Sequence, residues 1–480
     1  MSHTHAPSLT LPSFRWRWAL RIFEPSKSSL LSPAADFFMA GGASILFFIT
    51  VFFFVSKSSS TAMWGWGMYY AGFLVNFPHF AASYQLLYRD AGKDFFAFTK
   101  HWKFSLKLWW AGVVMPLLLV AYMLVGLMLG SKQLLGYTVN AMFFFVGWHY
   151  IKQIFGCVVV LSATAKIYYT QLERWALLVP LYALWGLSFF SYNTAGSADV
   201  YYGMPYTSFR FPDFIIPVLY ALLGLATFAM VEIHAWKFIR LKRFPPLSAV
   251  AALISIYVWF IPAFNHPHFA LIIPFFHSLQ YLLFVLAYKR NQCALEAPMH
   301  KHATHHAPHH KHVPRKTALS LTTVATALFI LLPPVLIAMT IAAGFSFTID
   351  GVMAGAYGML MAVSSSLWLQ TMCITGGLII LLICLRLAAK RSPLWHFLLF
   401  ITHMLLLGAL MFSVMPTILD ILSKNALLPA GLAYSTDTFG AALYLFLFTI
   451  FVNIHHYFID NVLWKRDNPH IRENLFAEVL

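Results

Sequence analysis

Apolar residues run in long blocks along this chain, and short polar, basic stretches separate them. Twelve blocks have the length of a bilayer-crossing helix, which takes about 17–25 residues. They are 36–56, 62–86, 104–130, 134–163, 175–193, 213–238, 246–264, 267–288, 317–345, 359–388, 394–422 and 439–463. The pattern predicts an all-α fold, a polytopic membrane bundle of about twelve transmembrane helices. A Gly-Met-Ser stretch inside 350–388 also fits a re-entrant piece.

Lys and Arg test that count. The tail before the first block carries Arg15, Arg17, Arg21 and Lys27, and the next loop has only Lys57. The loop after block two has Arg89, Lys93, Lys100, Lys103 and Lys107, and the one after it only Lys132. The alternation continues to Lys465, Arg466 and Arg472 at the C-terminal end. Basic loops stay in the cytosol, so both termini are expected there. The division that follows is a basic tail 1–35, a bundle 36–290, a His-rich cytosolic loop 291–316, a second bundle segment 317–464 and a tail 465–480.

Composition narrows the class. Of 480 residues 60% are hydrophobic and 10% charged, where a soluble domain has about 25% charged. The formal net charge of +16 would suggest nucleic acid in a soluble protein. Here the charge sits in loops beside apolar blocks, so the expected partner is anionic lipid on the cytosolic face, with no nucleic acid. The tail through Lys27 has no signal-peptide pattern, and the expected location is the cell membrane, specifically a bacterial inner membrane. The four cysteines form no CxxC, so a thiolate metal site is not expected.

The chemistry lies in the few polar residues inside the apolar blocks. An ionisable group in a membrane helix costs about 2.5–3.5 kcal/mol on insertion scales and marks a functional position. His79 lies ten positions before Arg89, His277 twelve before Lys289, His403 twelve after Arg391 and His456 nine before Lys465. At a rise of 1.5 Å per residue, these imidazoles sit about 14–18 Å from the basic ends of four helices. His149 reaches that level if its helix continues into the cytosol. Polar companions at helical spacing share their faces: Asn76 and Ser83 with His79, Gln153 with His149, Gln280 and Tyr281 with His277, Asn453 and Asp460 with His456.

Convergence at one depth predicts a metal site. The candidate ligands are His79, His149, His277, His403, His455, His456 and Asp460. The supporting residues are Asn76, Gln153, Gln280, Tyr281 and Asn453. Neutral imidazole is the commonest metal ligand and carboxylate suits harder ions, so a transition metal is expected, iron first, with haem as an alternative. His455 and His456 point about 100° apart and do not readily serve one ion together. The tract "HKHATHHAPHHKH", His300 to His312, has seven histidines in thirteen residues and reads as a metal-gathering loop or a drifted linker.

A metal within an apolar bundle suggests an oxidoreductase acting on a lipid or other apolar small molecule. In this respect the chain resembles the histidine-rich membrane desaturases and hydroxylases, whose HxxxH and HxxHH motifs it lacks. The HxxxY of His277 and Tyr281 and the pair His455-His456 are similar to pieces of the haem–copper oxidase pattern, in a different chain order. The HxxxD of His456 and Asp460, with the His-rich loop, is similar to zinc transporters, which makes metal transport the alternative function.

Overall fold

The computed structural model describes residues 29–54, 74–194, 200–265, 267–296, 393–424, 427, 436–465 and 468–475. Expected spans nine and ten, at 317–345 and 359–388, and the His300–His312 tract lie outside the described residues.

The described chain is helical throughout, apart from a two-strand hairpin in which Val200–Tyr201 pairs antiparallel with Met204–Pro205. Helix α1 runs Pro33–Phe37, passes through a π turn at Phe38–Gly42 and continues as Ala43–Phe54. Helix α2 occupies 74–84 and ends in a π turn at Gln85–Asp90. Helix α3 spans Phe98–Trp109, a π turn Trp110–Val114, and Met115–Met128. Then come α4 (Lys132–Thr164), α5 (Gln171–Thr194), α6 (Ile215–Leu241), α7 (Leu247–Asn265) and α8 (Ile273–Glu296). Helix α9 is Pro393–Ala409, a π turn Leu410–Val414, and Met415–Lys424. Helix α10 is Leu443–Leu463, and the short α11 is Pro469–Asn474.

Eight stretches among the described residues are long and apolar enough to cross a membrane, within α1, α3–α6 and α8–α10, and α7 adds a shorter apolar one. Most of α6 is exposed: only 11% of its most apolar window is buried, and Val218, Leu225, Phe228 and Ile239 all face outward. In water that surface would cost about 25 cal/mol per Å², whereas lipid tails are as apolar as the side chains. Helices α8 and α10 are the most buried, at 61% and 67%, and form the centre of the bundle.

Two of the π turns have a cause in the sequence. Pro116 and Pro416 each stand two positions after a π turn, in the pairs Met115-Pro116 and Met415-Pro416. Proline has no N–H to donate and its ring clashes with the carbonyl four residues back, so the ladder there shifts its pairing. The α1 turn instead holds Gly41 and Gly42. Gly408 of α9 lies flat on α2: a Cβ there would be 2.6 Å from the Phe77 carbonyl, two residues before His79.

Asn265 is the last residue of α7, and a 3-10 turn, Pro267–Ile272, leads into α8.

Candidate metal centre

Four helices from distant parts of the chain each deliver one imidazole to the bundle centre. His79 (α2), His149 (α4), His277 (α8) and His456 (α10) are all buried, and one ligand nitrogen from each lies within 4.8 Å of the others. Their ring centroids are 4.5 Å apart for His79 and His456, 4.8 Å for His149 and His277, and 4.9 Å for His149 and His456. His149 joins the group because α4, at 33 residues, is about 50 Å long and overruns a bilayer core.

The two Nε2 atoms of His79 and His456 approach to 2.9 Å. The tautomer of His79 follows from its other side. Its Nδ1 lies 2.9 Å from the Asn76 carbonyl and 3.0 Å from Ser278 Oγ, whose own proton goes to Asn76 Oδ1 at 2.8 Å. Both neighbours therefore accept, Nδ1 carries the proton, and the Nε2 lone pair faces the centre. A metal-ligating histidine is held in this way when its second nitrogen donates to a carbonyl.

Asp460 lies beside the four rings, outside the group whose ligand atoms share the 4.8 Å limit. Its Oδ1 accepts from Ser83 Oγ at 2.9 Å and from Tyr281 OH at 3.0 Å. Its Oδ2 makes no hydrogen bond and stands 3.2 Å from His456 Nε2 and 3.6 Å from His149 Nε2. His149 Nε2, His456 Nδ1 and both nitrogens of His277 are also buried without a hydrogen-bond partner. Each orphaned polar atom costs on the order of 1–3 kcal/mol. A central cation would engage one nitrogen from each ring, with the free carboxylate oxygen close to two of them. Metal–nitrogen bonds of about 2.0–2.1 Å allow ligand atoms up to about 4.2 Å apart, so the rings must close in from the observed 4.8 Å limit to bind one ion. The donor set therefore fits a transition-metal ion.

Besides Asp460, the structure leaves His403 and His455 outside the group. His455 has both nitrogens engaged elsewhere, Nδ1 with Tyr84 OH at 2.8 Å and Nε2 with the Ala111 carbonyl at 2.9 Å. The 100° step between successive helical residues turns it toward α2 and α3 while His456 faces the centre. His403 is half-buried, and its Nδ1 donates to the Leu399 carbonyl of its own helix at 2.8 Å. Its expected depth matches the others, but its ring is not in the group.

The supporting residues divide similarly. Asn76 and Tyr281 hold His79 and Asp460 directly. Gln153 donates to the His277 carbonyl and to Gln280 Oε1, both at 2.9 Å, and Gln280 Nε2 reaches the Ala40 carbonyl. Asn453 instead bonds within its own helix, to the Thr449 carbonyl at 2.7 Å, and accepts from Tyr457 OH at 3.2 Å. Two of the carbonyls that hold these side chains, Ala40 and Ala111, lie inside π turns, where the helical ladder is disturbed.

Ser278, Tyr84, Tyr150 and Tyr457 complete the surroundings. Tyr150 packs on His277 at 4.3 Å between ring centroids, and Tyr457 on His149 at 4.9 Å. None stands three or four positions from the ring it supports on that ring's own helix, so helical spacing gives no signal for them. No protein-family model, curated protein or solved structure matches this chain.

Proposed function

We propose that the chain is an integral membrane metalloprotein, an iron-dependent oxidoreductase acting on a lipid or other apolar substrate. The observation that carries this reading is the convergence of His79, His149, His277 and His456 in a buried interior, with a free Asp460 oxygen beside them. Imidazole suits iron, zinc, copper and nickel alike, and an adjacent carboxylate favours the harder iron among them. Cys157, buried on α4, is not a member of the group, which speaks against a thiolate-selected metal.

In this reading, Asn76 and Ser278 hold the His79 lone pair on the centre, and Ser83 and Tyr281 hold Asp460 so that Oδ2 stays available. The aromatic walls keep bulk water out and strengthen every electrostatic contact inside. Bound iron supplies the one-electron chemistry that side chains lack. A haem held between two histidines needs a flat slot, and here the rings of His149 and His277 crowd the His79–His456 pair, which favours a bare ion.

The same proposal includes twelve spans with both termini in the cytosol of a bacterial cell, supported by the alternation of Lys and Arg along the loops. Elemental analysis of the purified full chain, together with its visible spectrum, tests the metal assignment. Stoichiometric iron without a Soret band is expected. A Soret band would select haem, copper would overturn the iron assignment, and zinc would overturn the redox reading while leaving the metal centre.

A further inference from the structure

Among the described residues, the two fully buried lysines are ion-paired. Lys237 Nζ lies 2.6 Å from Glu173 Oε2, and Lys289 is paired with Asp90. Lys152 lies on α4, twenty residues in from Lys132 and twelve before Thr164. It is half-buried, and among the described residues no carboxylate comes within ion-pairing distance of it. Its ammonium donates to Tyr182 OH at 2.6 Å and sits over the rings of Trp148 and Tyr182, 4.8 and 5.1 Å from their centroids. An uncompensated charge at this depth is expensive, and aromatic faces recover only about 0.5–2 kcal/mol of it.

Position adds to charge. Lys152 follows His149 by three residues, so it shares a side of α4 with that ligand and lies about 4.5 Å from it along the axis. From Lys152 a seam of half-buried rings runs along α4 and α5. Tyr182 contacts Trp148 at 5.4 Å, Trp148 contacts Trp185 at 5.5 Å, and Trp185 contacts Phe144 at 4.8 Å between centroids. Phe144, Trp148 and Lys152 are four residues apart and stack along one line of the helix.

We infer that Lys152 anchors the carboxylate of a long-chain monocarboxylic acid, whose hydrocarbon lies along the Tyr182–Trp148–Trp185–Phe144 seam beside the metal centre. A single ammonium balances a single negative charge in this apolar setting, whereas a doubly charged phosphate would leave one charge unmatched. The assignment rests on the proposed oxidation of an apolar substrate and names its class.

Binding of a doxyl-labelled stearic acid and of its methyl ester, measured on the full chain in phosphatidylcholine nanodiscs with empty discs subtracted, tests this. Wild type should bind the acid at least about tenfold more tightly than the ester, the loss expected for one charge-assisted contact. Lys152→Met should abolish the preference, Lys152→Arg should keep it, and both should retain the metal content of wild type. Equal binding of acid and ester, or a preference that survives Lys152→Met, overturns the inference. So does displacement of the acid by an equal concentration of phosphatidylglycerol, which would make Lys152 a contact for phosphodiester lipid. If Lys152→Met fails to insert, the wild-type acid–ester comparison and the phosphatidylglycerol competition decide. Acid that binds through Lys152 but is never oxidised would sink the oxidoreductase reading and leave the carboxylate site standing.

Discussion

His79 and His456, 377 positions apart in the chain, face each other Nε2 to Nε2 at 2.9 Å. Two lone pairs at that separation repel unless a proton or a cation lies between them. The Asn76 carbonyl and Ser278 keep the His79 proton on the far nitrogen, so His79 cannot supply that proton. The contact is the tightest constraint on the centre and the basis of the first expectation.

His456→Ala should remove bound metal while the bundle still inserts. The apolar faces of α10 do not depend on one imidazole, whereas a four-histidine centre does. Metal content per chain and the size-exclusion profile of the purified variant measure the two separately. Full metal content in a well-folded His456→Ala protein would end the metal-centre reading.

Ser83→Ala and Asp460→Asn should differ in size. Ser83 acts through Asp460, and loss of such a supporting hydrogen bond usually weakens metal affinity by about 10–100-fold. Asp460→Asn removes the negative charge beside the centre as well and should weaken it more. Chelator titration followed by metal analysis ranks them, and equal effects would show that the Asp460 charge is not used.

His455→Ala should behave unlike its neighbour. The change strands the Tyr84 hydroxyl and the Ala111 carbonyl and should destabilise the protein by about 1–3 kcal/mol. Metal stoichiometry should stay at the wild-type value. Thermal unfolding in detergent with parallel metal analysis checks this, and metal loss equal to that of His456→Ala would make His455 a ligand.

Gly408→Val should affect the centre from a distance. Added atoms meet the Phe77 backbone, which cannot yield as a flexible side chain would, and push α2 together with His79. Overpacking of this kind costs about 1–3 kcal/mol. A lowered melting temperature and weakened metal retention should appear together.

Topology is tested by reporter fusions. Fusions within 195–210 and 424–436 should report the outer face, and fusions within 300–312 the cytosol. A cytosolic signal from either of the first two would break the expected alternation.

Helix existence and the polar inventory were legible in the chain, because both are local properties. Blocks of apolar residues need no tertiary contact to favour lipid, and a histidine among phenylalanines stands out wherever its helix packs. A fixed rise per residue also set an expected level for each ring, as from Lys289 to His277.

Facing was not legible, because it depends on which neighbour each helix meets. His403 was expected at the depth of His79, yet its ring turns to its own Leu399 carbonyl. His455 and His456 are adjacent and chemically identical. The sequence determined that they point about 100° apart, and only the packing of α10 against α2 and α3 decided which one faces the centre. Ser278 reaches His79 from another helix, and the carbonyls of Ala40 and Ala111 carry no side-chain signature at all. Periodicity along one helix describes that helix alone, and a metal centre is a relationship among four.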